Sequence, residues 1–533
     1  MVKKTAHDDP NSKTTTHPIS PLFALTFTRK QTHRRPPSTS SQLLPPPPKM
    51  LAFVFESSPI TSFRGAQLPT RLSKCPPRRS YSACRVVTAK AQVTSPAVQE
   101  GRNHNASIDK LLDAGLSVVV LKRGKANLFR DQRNPMVFAG SVERHIPLPG
   151  HTLSDCDPVA VCNGAYACLG YGFFNPHSMF RVRMLKHVAP SDELDPPLPW
   201  DYAAEIVARM RNAVALREAI ALPGEATNIY RVVNGEGDRL SGLVVDRVAD
   251  TLVVSSSALW CEKHKDRIIG GLNAVLPSCA DIVWRRNVDR LRQDGLADEA
   301  EHPAPLNGAS TSPTDCDVKY ELSRFALTRG QKTGHYADQR ENRAFIRNLV
   351  NQRGGSKRVL DLFCYTGGFA MNAALGSDDC SVVAIDSSGR AIEMGQRNAE
   401  LNGVSDKITF VQSDVIKYLR SAEEDQGSFD VVIVDPPKYA PNVKALPRAT
   451  HKYRSLNLAA MRMVKQGGLL CTCSCSAAMT QNRHLFVEVI REAASSLGRE
   501  VTLLKTVGAA SDHPVTPEMP ESEYLTMCVF LCR

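Results

Sequence analysis

At 533 residues the chain is longer than one hydrophobic core organises, so two or three folded domains are expected. Its formal charge of +12 invites a nucleic-acid reading, but residues 1–100 hold 15 Lys/Arg against 4 Asp/Glu, which leaves 51 against 50 for the remainder. The excess belongs to the leader, so any nucleic-acid surface on the folded part must be a local patch.

The leader has no acidic residue from Pro10 to Phe55, and only Glu56 between Met50 and Gln99. It is rich in Ser, Thr, Pro, Arg and Lys, and it contains no apolar run long enough for a signal-peptide core or a membrane span. That composition predicts a transit peptide over residues 1–100, with Met50 a second plausible start and a processing site near Ser82–Ala89. The expected destination is the chloroplast, with the mitochondrion as the alternative; a disordered cytosolic tail is the bland reading. Fifteen cysteines without framework spacing read as reduced thiols rather than disulfides.

A polar bridge is expected to about Leu111. Leu116–Leu121, Pro135–Val142, Val159–Val161 and Ala165–Asn175 then read as short strands with glycine breaks, and Phe180–Leu185 alternates apolar and basic residues. Over residues 112–190 this pattern predicts a small β-barrel, whose alternating arginines Arg181 and Arg183 would face solvent or RNA phosphates. Past the linker Pro196–Trp200, residues 196–325 read as α+β. A helix is expected over Ala203–Ala221, hairpin strands over Tyr230–Asp238, Leu243–Arg247 and Leu252–Ser255, and a helix over Lys263–Leu276. Ile282–Trp284 is not taken as a strand, because the basic cluster Arg285, Arg286, Arg290 and Arg292 follows it. Pro303–Asp317 reads as a loop and Lys319–Leu327 as a strand, and no internal repeat is apparent.

Residues 326–533 carry the chemistry. After a helix from about Arg340 to Val350, Arg358–Leu362 reads as a buried strand that breaks at Phe363-Cys364-Tyr365-Thr366-Gly367-Gly368 into a helix. This is how the first strand of an open α/β sheet delivers its carboxyl end, with Asp361, to a nucleotide-like ligand. Val382–Ile385 ends in Asp386, at the distance where a ribose diol finds its carboxylate. A dinucleotide loop needs small residues where Phe363 and Tyr365 stand, so a ligand with ribose and adenine but no phosphate fits better, and S-adenosylmethionine is the obvious one. Ser387 or Ser388 can cap the next helix, which ends at Asn402-Gly403. Ile408–Val411 is a third strand, with Asp414 a candidate partner for the adenine amino group.

Val431–Val434 terminates in Asp435-Pro436-Pro437-Lys438, whose prolines hold an extended loop suited to gripping a flat base. Leu469–Ser476 is the fifth strand, and alternation puts Cys471, Cys473 and Cys475 on one face. Three thiols in line make no tetrahedral metal site, and none is expected. Cys471 and Cys473 read as small core residues; Cys475, at the carboxyl end level with Asp435, can serve as a nucleophile. A soft nucleophile on carbon 6 of cytosine activates carbon 5 toward a sulfonium methyl, and Asp435 could bond the ring nitrogen and amino edge. The base must be unstacked to reach both groups.

With D-x-F-x-Y-T-G-G, D-P-P-K and S-C-S, residues 326–533 resemble the bacterial large-subunit ribosomal RNA 5-methylcytosine methyltransferase family. The similarity reaches back through Gly330–Tyr336 and Tyr230-Arg231 to Asn134–Phe138; Ala477 stands where the family usually has glycine. The resemblance implies an α/β fold: a Rossmann-like class I methyltransferase domain, preceded by a PUA-like barrel and a small α+β linking domain. It also implies a donor site of Asp361, Phe363, Tyr365, Gly367, Asp386, Asp414 and Tyr336. Asp435 and Cys475 would be catalytic, and Pro436, Pro437, Lys438 and His513 would lie on the substrate side. The implied partner is ribosomal RNA, organellar if the leader is a transit peptide; a homodimer is compatible with the sequence. Alternatives are a guanine methyltransferase of the same fold and a non-catalytic ribosome assembly factor.

Overall fold

The computed structural model describes residues 100–297, 312–322, 324–330 and 332–533, and the transit-peptide expectation lies outside them. Order begins earlier than the polar composition suggests, with a helix over Glu100–Asp113 that buries Ile108 and Leu111.

Six strands between Ser117 and His187 form the first sheet. Its two edges, Met136–Phe138 and Val142–Ile146, are joined by only Ala139–Ser141. Laid flat, six strands would hold their edges about 24 Å apart. A link this short reaches no more than about 14 Å, so the sheet must curl on itself as a barrel does. Its interior is filled by Val119, Phe129, Val161, Leu169 and Val182. Arg183 does not face solvent: it bonds the Ser241 hydroxyl at 2.7 Å and pairs with Asp294 at 3.2 Å, because the central domain covers that face.

The central domain is a four-stranded sheet ordered Asp281–Arg286, Thr251–Ser256, Leu243–Val248, Ile229–Asn234. Helix Tyr202–Ala219 packs on it, its first turn capped by the Asp201 carboxylate, which accepts from the amides of Ala203 and Ala204. Two readings change here. Asp281–Arg286 is an edge strand, and its basic end is accommodated because Arg286 pairs with Glu262 and Arg285 donates to backbone carbonyls. The helix expected over Lys263–Leu276 is two, Leu259–Lys263 and Lys265–Val275, broken at His264.

The expected strand Lys319–Leu327 is only Val318–Lys319, followed by helix Arg324–Arg329. Val318, Tyr320 and Leu322 are buried in alternation as a strand's would be. The amides of Lys319 and Glu321, however, donate to the side chains of Asn402 and Asn398 instead of to a neighbouring strand.

The last domain holds a seven-stranded sheet ordered Ile408–Gln412, Cys380–Asp386, Lys357–Leu362, Phe429–Val434, Val464–Ser474, Thr526–Cys532, Val501–Val507. The first five run parallel, and Thr526–Cys532 is antiparallel to both its neighbours. Alternation feeds two cores: Val359, Val431, Ile433 and Leu469 pack on one face, and Leu360, Leu362, Val432 and Val434 on the other. Strand order reverses between Lys357–Leu362 and Phe429–Val434, and the crevice outside the carboxyl ends of such a pair is where open α/β sheets bind ligands.

Candidate active site

That crevice is a cavity of about 480 Å³, a size suited to a small cofactor and part of a substrate. Among the residues that line it are Phe363, Tyr365, Asp386, Asp435 and Cys475, together with Tyr336, Pro436, Pro437 and Lys438.

The loop after the first strand is held in an unusual shape. Phe363 and Tyr365 have φ of 65° and 50°, left-handed values that side chains other than glycine rarely adopt. Two carboxylates fix it. Asp361 accepts from the Ala370 amide at 3.0 Å across the loop, and Asp386 accepts from the Tyr365 amide at 2.9 Å. Asp386 also takes the Ser388 amide at 2.9 Å, and Ser388 caps the helix that follows by accepting from the Ala391 amide. Gly367, at φ 78°, opens helix Gly368–Ala374, and any Cβ there would lie 2.9 Å from the Phe410 ring. Asp361 is fully buried; burial first, and then the Asp435 charge, push its carboxyl up to about 8.

Opposite, the backbone amide of Asp435 donates to the Leu362 carbonyl at 3.3 Å, and Gln339 Nε2 donates to Asp435 Oδ2 at 2.9 Å. Burial, then the Asp338 charge, raise the Asp435 carboxyl to about 6. Strand Val464–Ser474 stops one residue before Cys475. The flanking serines explain why that one thiol faces the cavity. Ser474 is buried and bonded to the Tyr453 hydroxyl at 2.9 Å, and buried Ser476 donates to the Ala440 carbonyl beyond the proline loop. Cys475 Sγ contacts the Pro436 carbonyl at 3.8 Å. Burial and then Asp435 push its thiol up to about 11, so it rests protonated at neutral pH. Cys471 and Cys473 are fully buried in the core under the sheet.

Four named residues do not line the cavity. Asp361 and Gly367 shape its loop. Asp414 is exposed and caps a helix by accepting from the Lys417 amide at 2.8 Å. His513 is buried against Asp512, Nδ1 to Oδ1 at 3.0 Å. A strand-end aspartate serves equally well as a cap or a ligand, and spacing does not separate the two roles. Part of the remaining wall escaped sequence reading, notably Lys332, Asp338, Gln339 and Arg343 from the segment before the first strand, and Tyr524 and Leu525 near the start of the last. A usable signal for the first group was the polar density of Gln331–Arg340, seven of whose residues from Thr333 to Arg340 are nonetheless buried (Thr333, Gly334, His335, Ala337, Asp338, Gln339 and Arg340). Tyr524 carried none.

A family model of S-adenosylmethionine-dependent methyltransferases matches residues 307–507, and a PUA-like domain model matches 119–187. The ribosomal RNA large subunit methyltransferase I of Escherichia coli (strain SMS-3-5 / SECEC) is 33% identical over 421 residues, spanning 78% of this chain and 98% of that protein. The protein of the same name from Escherichia coli O1:K1 is 32% identical over the same length. The chain belongs to the ribosomal RNA large subunit methyltransferase I family. Solved structures agree on the fold. A Streptococcus mutans chain studied as a candidate SAM-dependent methyltransferase has a TM-score of 0.60 at 18% identity, covering 78% of this chain and 99% of that one. A candidate methyltransferase complexed with S-adenosylhomocysteine has a TM-score of 0.60 at 20% identity, with the same coverage.

The family's cofactor is S-adenosylmethionine, and the residues present fit it. Asp386 spends one backbone hydrogen bond on each oxygen, which leaves lone pairs free for a ribose diol. Asp361 Oδ1 is buried with no partner in the protein. Phe363 and Tyr365 are aromatic residues of the cavity wall, and the Tyr336 ring meets Tyr365 edge-on at 5.3 Å. Among the described residues no cluster of His, Cys, Asp and Glu could hold a metal, and no helix is long and apolar enough to cross a membrane.

Proposed function

We propose that this protein methylates carbon 5 of a cytosine in large-subunit ribosomal RNA, with Cys475 as covalent nucleophile and Asp435 on the base. The observation that carries this reading is that Cys475 and Asp435 share one cavity with Phe363 and Asp386, so the thiol and the donor side can meet the same ring. S-adenosylmethionine, when bound, supplies an electrophilic methyl. The chain's residues do the rest. Cys475, once deprotonated, forms a bond to carbon 6, and the displaced π pair passes through the ring toward N3. Asp435, raised to about 6, can hold a proton at N3 and accept from the exocyclic amino group. Carbon 5 takes the methyl, a base removes its proton, and the carbon–sulfur bond breaks to return the thiolate. The proline pair after Asp435 suits the gripping of an extruded base.

The acidic-poor leader supports an organellar setting, chloroplast first and mitochondrion second. Fusing residues 1–100 to a fluorescent protein and imaging its destination tests that part separately.

Activity is tested by incubating full-length protein with labelled donor and organellar large-subunit RNA, wild type against Cys475→Ala. Label in 5-methylcytosine that vanishes with the substitution supports the reading. Label in a methylguanine selects the guanine alternative, and RNA binding without label selects an assembly factor.

A further inference from the structure

One charged group in the cavity has no part in the chemistry described so far. Lys332 lines the same cavity as Cys475 and Asp435, and its ammonium is held from several sides. It pairs with Asp338 Oδ2, whose side chain is only 2% exposed. It also sits 4.3 Å from the centroid of the Tyr336 ring and 5.7 Å from that of Tyr524. Tyr524 in turn donates its hydroxyl to the same Asp338 oxygen at 2.7 Å. The backbone is fixed as well: Lys332 has a left-handed φ of 47°, and its carbonyl accepts from Arg285, which reaches Gly330 O at 2.7 Å. A long, flexible side chain is thus immobilised with its charge at the cavity wall.

The plain alternative is a structural ion pair. A buried pair is weak evidence of stabilisation, and this one is lopsided: Asp338 is enclosed while the Lys332 side chain stays 30% exposed. An ammonium has three donors and Asp338 takes one, so the others are available to a ligand. The same charge opposes the burial that raises both Cys475 and Asp435, as expected of a cation that faces the two of them.

We propose that Lys332 is a base-reading residue that donates to the O2 carbonyl of the target pyrimidine and holds the charge that develops there. The inference rests on the cytosine reading above. When sulfur adds to carbon 6, the electron pair arriving at N3 is shared with O2 through the ring amide. A fixed cation at O2 and a proton at N3 therefore stabilise the same adduct from adjacent atoms of one edge. The arrangement also selects. Cytosine presents an amino donor, then N3 and O2 as acceptors, to match Asp435 and Lys332. Guanine presents an amino donor at the position of O2 and would set N–H groups against the ammonium.

The test compares full-length wild type, Lys332→Met and Lys332→Arg. It uses an in-vitro transcript of organellar large-subunit RNA with labelled donor, and the product base is identified by mass spectrometry. Equilibrium binding of S-adenosylhomocysteine reports that each variant retains a folded donor site. Lys332→Met should lower kcat by about 10²-fold, while KM for RNA and the Kd for S-adenosylhomocysteine stay within about threefold. Lys332→Arg should recover part of the loss, since it restores a cationic donor. The same transcript made with 5-fluorocytidine, whose fluorine cannot leave as a proton does, should trap a protein–RNA adduct with wild type and much less with Lys332→Met. If wild type forms 5-methylcytosine and Lys332→Met matches its rate, or loses activity only through weaker S-adenosylhomocysteine binding, the role of Lys332 falls and the cytosine reading stands. If wild type binds S-adenosylhomocysteine yet forms no 5-methylcytosine and no adduct, both fall together.

Discussion

The Cys475 sulfur lies 3.8 Å from the carbonyl oxygen of Pro436, a contact that joins the tip of one parallel strand to the loop leaving its neighbour. It keeps the thiol beside Asp435, whose charge, after burial, is the main influence pushing that thiol up to about 11.

Reactivity of this thiol should therefore climb with pH. A group with a raised value is protonated below it, so in the free protein alkylation of Cys475 by iodoacetamide should rise about tenfold per pH unit between neutrality and pH 10. A cationic donor analogue should move the profile to lower pH, and S-adenosylhomocysteine should not. Mass-spectrometric peptide mapping reads both.

Asp512 makes the opposite statement. Burial works against its charge, but His513 and the Arg340 guanidinium, at 2.9 and 3.0 Å, hold its carboxyl below the usual carboxylate range. It also takes the Arg231 amide at 2.7 Å, and its carbonyl takes Arg217, tying the last domain to the central one. Asp512→Asn leaves the buried Arg340 facing only the half-exposed Glu341 carboxylate, at 3.4 Å, and should cost about 3 kcal/mol. A depressed carboxyl contributes its stability above the unfolded value of about 4 and loses it as pH falls further. Denaturant melts at pH 7 and pH 3 should show the deficit of the variant at the first and its shrinkage at the second.

Asp361 lies on the destabilising side. Its carboxyl, raised to about 8, weakens the folded state progressively as pH rises from about 4 to 8, because the unfolded chain ionises there first. Asp361→Asn can still accept the Ala370 amide. Its melting temperature should exceed that of wild type by a margin that grows across this range and levels off above it. Its S-adenosylmethionine affinity, read by calorimetry, should fall.

Cys471→Ala and Cys473→Ala bear on which sulfur reacts. Both thiols are fully buried in the core, and each substitution should cost on the order of 1 kcal/mol while methylation and adduct trapping survive. Loss of the adduct with either would move the nucleophile away from Cys475.

Much of the last domain was legible because parallel strands announce themselves. Arg358–Leu362, Val382–Ile385, Ile408–Val411 and Val431–Val434 are short apolar runs closed by chemistry-bearing residues, and the folded strands differ from them by one to three residues. What escaped was context. Val318–Leu322 alternates like a strand, but the amides of Lys319 and Glu321 are met by asparagine side chains. Arg183 alternates like a surface residue, but a second domain lies over it. Cavity walls built from distant segments left the faintest trace. The carboxylates at strand ends were visible, whereas Lys332 and Tyr524, far apart in the chain, are brought together on the buried carboxylate of Asp338, a pairing that no local pattern points to.

The wall that Tyr524 and Leu525 contribute has a consequence for biosynthesis. Translation proceeds toward the carboxyl terminus, so the thiol, the proline loop and the glycine turn all leave the ribosome tunnel before the residues that enclose them. A nascent chain passes through a stage in which Phe363 and Tyr365 have been made but Asp338 still lacks its tyrosine partner. Closure of the cavity must wait for the final hairpin, and a chain stalled before it would hold Cys475, Asp435 and Asp386 without the wall that Tyr524 and Leu525 supply.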